Sequence, residues 1–448
     1  MAVKQNRKSV DIRGIHLDLK GMPPLFNRLL DLLDFLAGLK INCVLIEYNT
    51  HFPWSEKKFR DKNGYTRSQV TEFLEKATSL NIQVVPLVQT FGHLEMVFRH
   101  NEYAKYRERS DNPAELCPLK KKPFKIVHRM IQDIMETHQG FSTHIHLGAD
   151  EVWSLGSCPR CKKYIKKNSR SALFLNHMTP LLDDVRDAGF QPIIWDDMMR
   201  SWDRKALKEI GARTDLMAWN YRANPFAGSL TRKTLSAYLN TGITVWGASA
   251  FKGADGPVED RPYIPDRIAN NQAWLNAAKE HGLKAVVATG WSRYSDLIAN
   301  CEGLEGSLDS LVICARILSG RKLSKNPRKS AEEYLSKVLS STVPVQIIAI
   351  TEELASWQKE TQAITRNLYA NFPFHGEKDR RNPYWFTREV KRLKGHRDRG
   401  TDILARWKKL HKGLAADVHL MQYVRNRLTP VKKLYSFFRE AKPLYKKS

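Results

Sequence analysis

No apolar run in this chain approaches the roughly 18 residues that a membrane-spanning helix requires. Met1–Val10 is polar and basic, and no apolar stretch follows it. Neither a membrane span nor a signal peptide of the usual form is therefore expected, and a soluble, cytoplasmic protein is. Cysteine is scarce: six are scattered among 448 residues, which does not suit a disulfide framework. Cys158-Pro-Arg-Cys161 has the CxxC spacing of half a zinc site, yet no second CxxC or nearby His pair completes four ligands. A plain thiol pair, a zinc site and a local disulfide all stay open for it, and no metal or cofactor is assigned. GxGxxG and GxxxxGK[ST] are both missing, so dinucleotide and P-loop chemistry have no foothold. Internal repeats and low-complexity tracts are missing too, and with 42% hydrophobic residues disorder is not the default.

Acidic residues are also in short supply. Against 73 Lys and Arg stand 47 Asp and Glu, a formal net charge of +26. Such a field attracts polyanions, whether nucleic acid, anionic lipid, sulfated glycan or an acidic wall polymer. The excess is uneven: residues 321–448 hold 29 Lys and Arg against 12 Asp and Glu, or +17 of the total. No nucleic-acid motif accompanies it. The basic C-terminal region is either a solvated helix surface or a face for an anionic glycan or other polyanion.

What is present is an alternation of short apolar runs with amphipathic stretches. Strands are expected at Ile12–Asp18, Val44–Tyr48, Ile82–Val88, His144–Leu147, Pro192–Asp196, Asp215–Trp219, Ile243–Gly247 and Ala285–Thr289. Helices are expected from Pro24, over Arg67–Leu80, and near 121–138, 171–189, 203–211, 230–241, 265–281 and 303–319. Continuous apolar strands suit a parallel sheet covered by helices. Eight such units point to an α/β protein with a (β/α)8 TIM barrel over residues 1–320, a doubly wound sheet being the weaker option. A basic, mainly helical C-terminal region follows over 321–448. Without it the chemistry should persist, unless its helices cap the barrel.

In a barrel of this kind, active sites sit where strands end and βα loops begin. The strand ends offer Asp18, Glu47, His93, Asp150, Glu151, Trp195, Asp196, Asp197, Trp219, Tyr221, Trp246 and Trp291. Asp150 and Glu151 form a paired acid after a β-like run that ends in Gly148. Two carboxyl groups are the usual equipment of a glycosidase, one protonating the leaving oxygen and one stabilising charge at the sugar carbon. Four tryptophans at four consecutive late strand ends would line a pocket suited to a sugar ring or an acetamido methyl.

The blocks Arg13-Gly-Ile-His-Leu-Asp18-Leu-Lys-Gly, Pro86-Leu-Val-Gln-Thr-Phe-Gly-His93-Leu-Glu, His146-Leu-Gly-Ala-Asp150-Glu151-Val, Ile194-Trp195-Asp196-Asp197-Met, Ala248-Ser-Ala-Phe-Lys252-Gly-Ala and Thr289-Gly-Trp291-Ser-Arg293-Tyr294 together resemble glycoside hydrolase family 20, in its hexosaminidase D branch. The likeness runs over roughly residues 12–320 and stops before the basic tail. It implies a substrate-assisted, retaining exo-hydrolase of terminal β-linked N-acetylhexosamine, with an amino-sugar glycoside as substrate. By motif, Glu151 would be the general acid and base, and Asp150 would orient the 2-acetamido group. Tyr221 would bond the acetamido carbonyl oxygen, Trp195, Trp219 and Trp291 would wall its pocket, and Arg13 would grip sugar hydroxyls. His93 is a substrate-side candidate that, with Glu47, would tune Glu151. Behind Tyr294 the family pattern calls for an acid at once, whereas this chain has Ser295 and then Asp296. Asp197 would then share the contact to the outer hydroxyls.

A general acid that works near neutral pH needs a raised pKa, which burial among tryptophans and an anionic neighbour would both produce. A non-catalytic glycan- or polyanion-binding barrel is the alternative, although such a binder has no need of a paired acid in an aromatic pocket.

Overall fold

The computed structural model describes residues 10–370 and 383–441. Eight parallel strands close into a barrel in chain order. They are β1 (Ile12–Asp18), β2 (Cys43–Glu47), β3 (Gln83–Leu87), β4 (His144–His146), β5 (Gln191–Trp195), β6 (Asp215–Trp219), β7 (Val245–Lys252) and β8 (Ala285–Gly290). Closure comes from β1 pairing with β8, Ile12 opposite Ala285 and Ile15 opposite Ala288. Most strand residues are apolar because both faces of the strands are covered. In β2, Cys43 and Leu45 point inward to meet Val85, Ile193, Met217 and Val287. Val44 and Ile46 point outward into the layer beneath the helices.

Most expected helices form where periodicity and caps coincide. Helix Arg67–Ser79 begins at a capping box, with Gln69 N–H on the Thr66 hydroxyl at 3.2 Å and Thr66 N–H on the Gln69 side-chain oxygen at 2.9 Å. Lys121–His138 occupies the anticipated stretch, and Arg170–Asp187, Arg204–Gly211, Arg232–Leu239 and Ile264–His281 lie within a few residues of theirs. Three short helices were not anticipated: Glu95–Phe98, Asn101–Ala104 and Pro159–Lys167. They belong to the loops behind β3 and β4.

One strand corrects the sequence reading. β7 begins at Val245 and continues to Lys252, so Trp246 stands at its start rather than its end. The extension through Ser249 was hidden because its hydroxyl, although polar, is buried and donates to Asn271 at 2.7 Å. Trp246 is a barrel-floor residue, its indole N–H on Asp215 at 2.9 Å.

Helices Pro327–Val338, Val343–Ala370, Pro383–Leu410 and Asp417–Ala441 follow the barrel. The last three share an apolar cluster around Leu354, Trp357, Leu393, Leu404, Trp407 and Tyr423. At Gly400 a Cβ would stand 2.2 Å from the Trp357 ring, so a side chain there would force the two long helices apart. These helices also grip the barrel's loops. Asp260, in the loop behind β7, is buried and accepts from Arg427 at 3.0 and 2.7 Å, from the Tyr423 hydroxyl and from Gln358. Leu25 N–H, behind β1, donates to Leu414 O at 2.8 Å. Several basic side chains are engaged within this layer, Arg406 with Glu353 at 2.8 Å and Arg399 with Glu360 among them. No helix among the described residues is long and apolar enough to cross a membrane.

Candidate active site

The chain leaves β4 in an unusual conformation. Gly148, Ala149 and Glu151 have φ of +61°, +68° and +51°, and His93, behind β3, has +52°. For a non-glycine residue this region costs on the order of 1–3 kcal/mol, and it persists only where the surroundings impose it. Here they do. Gly92 has no side chain, and a Cβ on it would lie 2.2 Å from the Asp150 carbonyl oxygen. The Thr90 hydroxyl donates to Leu147 O at 2.5 Å, and Glu151 N–H donates to Asp197 Oδ2 at 2.9 Å. The loops behind β3, β4 and β5 therefore hold the Asp150-Glu151 pair together.

His93 Nε2 stands 3.4 Å from Asp150 Oδ2 and 3.4 Å from Glu151 Oε2. Burial alone would depress the imidazole, but Asp150 and Glu151 raise it well above its ordinary value. Burial likewise opposes the Asp150 charge, and the facing His93 nevertheless holds that carboxyl below its usual range. An ionised Asp150 beside an imidazolium is the resulting state. Asp150 is 5% exposed, and its second oxygen, Oδ1, is buried with no hydrogen-bond partner. Glu151 is more open, its side chain 37% exposed. Asp197 sits beneath the pair and is pushed up to about 7 by burial and by its neighbours Asp150 and Asp196.

The paired acids and His93 face a cleft of about 200 Å³, lined by Lys20, His93, Asp150, Glu151, Trp195, Trp219, Tyr221, Trp291 and Arg293 among others. Aromatic walls with a few convergent polar groups are the usual make-up of a small-ligand site. Trp195 is fully buried and forms its floor, 5.9 Å from the Trp291 ring. Trp219 stacks on Tyr221 at 5.3 Å, and Arg200 lies over the Trp219 ring at 5.1 Å while bonding both oxygens of Asp196. The Trp291 indole N–H donates to the Tyr221 hydroxyl at 2.9 Å. Lys252 Nζ fixes the Trp291 backbone carbonyl at 2.7 Å, and Gly253, at φ +69°, leaves room for that same carbonyl.

Of the residues singled out from sequence, Asp150, Glu151, Tyr221, His93, Trp195, Trp219 and Trp291 all meet at the cleft. Arg13 does not. It lies at the opposite end of β1, its guanidinium on the carbonyls of Lys40, Val10 and Asp11 at 2.8, 2.8 and 3.2 Å. A residue at the start of a parallel barrel strand faces away from the catalytic end. Lys20 and Arg293 supply the positive charge instead. Lys20 is held by Glu47 at 2.6 Å and Asp18 at 3.2 Å, and although burial opposes its charge these carboxylates keep it protonated. Arg293 bonds Asn300 through Nε at 2.8 Å, while its buried Nη2 has no partner. Both stand inside the quoted blocks, Lys20 two residues after Asp18, which was the available signal.

Glu47 pairs with Lys20 and Gln89 and acts electrostatically on His93, which itself faces Glu151. Asp197 is not among the residues lining the cleft, and its two oxygens accept the Glu151 N–H and the Trp219 indole N–H. Asp296 accepts from Asn49 at 3.0 Å, and Ser295 donates to Glu95 at 2.9 Å.

Away from the cleft, two groups among the described residues bring together atoms able to ligate a cation: Glu108, Cys117, Cys158 and Cys161, and His51, Asp61 and His419. Cys117 and Glu108 thus supply the companions that the CxxC spacing lacked.

Residues 45–237 match the family described as glycosyl hydrolase family 20, catalytic domain. Hexosaminidase D of Homo sapiens is 32% identical over 349 residues, covering 75% of this chain and 71% of the human one. Hexosaminidase D of Bos taurus is 33% identical over 338 residues, covering 72% and 96%. Among solved structures, a β-N-acetylhexosaminidase from Bacteroides fragilis superposes with a TM-score of 0.55 at 14% identity, covering 74% of this chain and 71% of that one. Flavobacterium johnsoniae chitobiase gives 0.55 at 16%, covering 96% and 72%. These two structures share the barrel.

Proposed function

The chain belongs to glycosyl hydrolase family 20 and is a β-N-acetylhexosaminidase, and we propose that it releases terminal β-linked N-acetylhexosamine as a retaining, substrate-assisted exo-hydrolase. The observation that carries this reading is the state of Asp150. Its Oδ2 faces His93, while its buried Oδ1 has no partner at the cleft. An ionised carboxylate with one spare buried acceptor suits an amide N–H, which the 2-acetamido group supplies.

The steps follow from the positions. Glu151, the more open of the two acids, gives its proton to the glycosidic oxygen as the bond to the anomeric carbon breaks. The acetamido oxygen attacks that carbon from the opposite face and closes an oxazolinium ring. Asp150, accepting the N–H, raises the oxygen's nucleophilicity and stabilises the positive ring that forms. Tyr221 accepts from Trp291, which leaves its own hydrogen for the acetamido oxygen. Glu151, now ionised, takes a proton from water as water opens the ring, and the product keeps the β configuration. Trp195, Trp219 and Trp291 shape an apolar seat for the acetamido methyl. The packed barrel interior below Trp195 supports a dead-ended site that accepts chain termini.

Release of chromophore from aryl β-N-acetylglucosaminides and β-N-acetylgalactosaminides tests this, with a thiazoline analogue of the oxazolinium ion as inhibitor. Glu151→Gln should lower kcat by about 10²–10⁴-fold for poor leaving groups and least for good ones. Asp150→Asn should lose both turnover and thiazoline inhibition. A near-wild-type Asp150→Asn enzyme would remove substrate assistance from the account; a folded wild type inert on both epimers would remove this substrate class.

A further inference from the structure

Cys117 Sγ lies 3.6 Å from Cys158 Sγ and 3.6 Å from Cys161 Sγ, and Cys161 Sγ lies 3.3 Å from Glu108 Oε2. All four donor atoms fall within 4.8 Å of one another. Disulfide sulfurs would stand about 2.05 Å apart. Donors placed tetrahedrally about 2.3 Å from one zinc stand about 3.8 Å apart, and a carboxylate oxygen, with its shorter bond, stands closer. The observed spacing follows the second pattern.

The surroundings agree. Glu108 is 3% exposed, yet it makes no ion pair with Lys, Arg or His among the described residues. Its Oε1 accepts Cys158 N–H at 2.9 Å, which turns Oε2 toward the sulfurs. Cys161 N–H points at Cys158 Sγ at 3.4 Å, a backbone donor of the kind that steadies a thiolate ligand. Cys158 caps helix Pro159–Lys167, whose N-terminal dipole end favours negative sulfur. Cys117 and Cys161 are fully buried.

We propose that Glu108, Cys117, Cys158 and Cys161 form a structural zinc site that staples the loop behind β3 to the loop behind β4. Three sulfurs and one carboxylate fill a tetrahedron with no open position, which suits a structural zinc rather than a catalytic one. Each thiol that ligates gives up its proton, so binding one Zn²⁺ releases up to three protons. The stapled loops are those that carry His93 and the Asp150-Glu151 pair. Between them Ser154 adds a second tie, its N–H and hydroxyl both on Glu115 Oε2 at 2.8 and 2.6 Å. The metal would thus brace the backbone that holds both catalytic acids without touching substrate.

The test uses the full chain, expressed with zinc in the medium and purified without chelator. Elemental analysis should find one zinc per chain, and exchange for Co²⁺ should give thiolate-to-cobalt charge transfer with tetrahedral d–d bands. Cys117→Ser should lose the metal. Should that variant not fold, Glu108→Gln is the second arm, and it should release zinc to a chromophoric chelator at least about tenfold more readily. Stripping the wild type should lower its Tm and kcat together, and zinc should restore both. The proposal is overturned by a zinc-free wild type whose three thiols titrate in the native state, by a Cys158–Cys161 disulfide in the intact mass, or by Co²⁺ bound without sulfur charge transfer.

Discussion

Asp197 receives the backbone N–H of Glu151 on one carboxyl oxygen, at 2.9 Å, and the Trp219 indole N–H on the other, at 3.2 Å. One buried acid thereby sets the height of the Glu151 backbone and the tilt of an aromatic wall. Glu151 keeps its left-handed backbone because this acceptor is there to hold it.

An amide at that position offers only one acceptor. Asp197→Asn should lower kcat by roughly 10–100-fold, about 1.4–2.7 kcal/mol. Substrate KM should change little, because Asp197 does not line the cleft. A large KM change at constant kcat would assign Asp197 to substrate contact instead.

The same residue predicts a pH dependence of stability. Its folded pKa of about 7 lies above the ordinary 3.8, so between these values the folded state holds a proton that the unfolded state has released. Stability from this group is therefore greatest below about pH 4 and falls as pH rises toward 7. Urea unfolding of wild type and Asp197→Asn at both ends of the window should show the wild type losing on the order of a few kcal/mol more. Parallel profiles would contradict the buried proton.

His93 supplies the counter-charge for Asp150. In His93→Asn, burial acts on Asp150 without that compensation, and its pKa rises. The acid limb of kcat/KM should move to higher pH, and the plateau should drop about tenfold, near 1.4 kcal/mol. An unmoved limb would show that His93 only braces its loop.

Arg293 and Arg13 make a paired comparison. Arg293→Gln should raise KM by about tenfold with a smaller effect on kcat, since Arg293 lines the cleft. Arg13→Gln should leave both constants near wild type. Reversed results would return the sugar contact to the far end of β1.

Asp260 ties the C-terminal helices to the loop behind β7. Asp260→Asn leaves Arg427 buried beside a neutral group and should destabilise by about 3–5 kcal/mol. Replacing both partners by apolar residues should cost much less. Equal losses in single and double variants would place the cost in packing rather than in the unpaired charge.

The barrel was legible because its strands are short apolar runs and its helices have clear periods; strand Asp215–Trp219 and helix Lys121–His138 fall where the pattern put them. The paired acid and its tryptophans were legible because the fold gathers strand ends. Arg13 misled because membership of a block says nothing about which end of a strand a residue occupies. Trp246 misled because a buried serine concealed the length of β7. The Cys117–Cys158 approach, 41 residues apart in sequence, depends on two adjacent loops folding together, and no local pattern records that.

Four residues lining the cleft each carry a buried polar atom with no hydrogen-bond partner: Gln89 Oε1, Asp150 Oδ1, Trp195 Nε1 and Arg293 Nη2. Together they are an imprint, two acceptors and two donors held at fixed places. A buried polar group left unmatched costs about 1–3 kcal/mol. A ligand that lacks a donor or acceptor at one of these places leaves that atom unmatched even when its ring fits well. Rejection of a near-isostere then needs no clash; it follows from a silence, the one hydrogen bond that the wrong ligand fails to return.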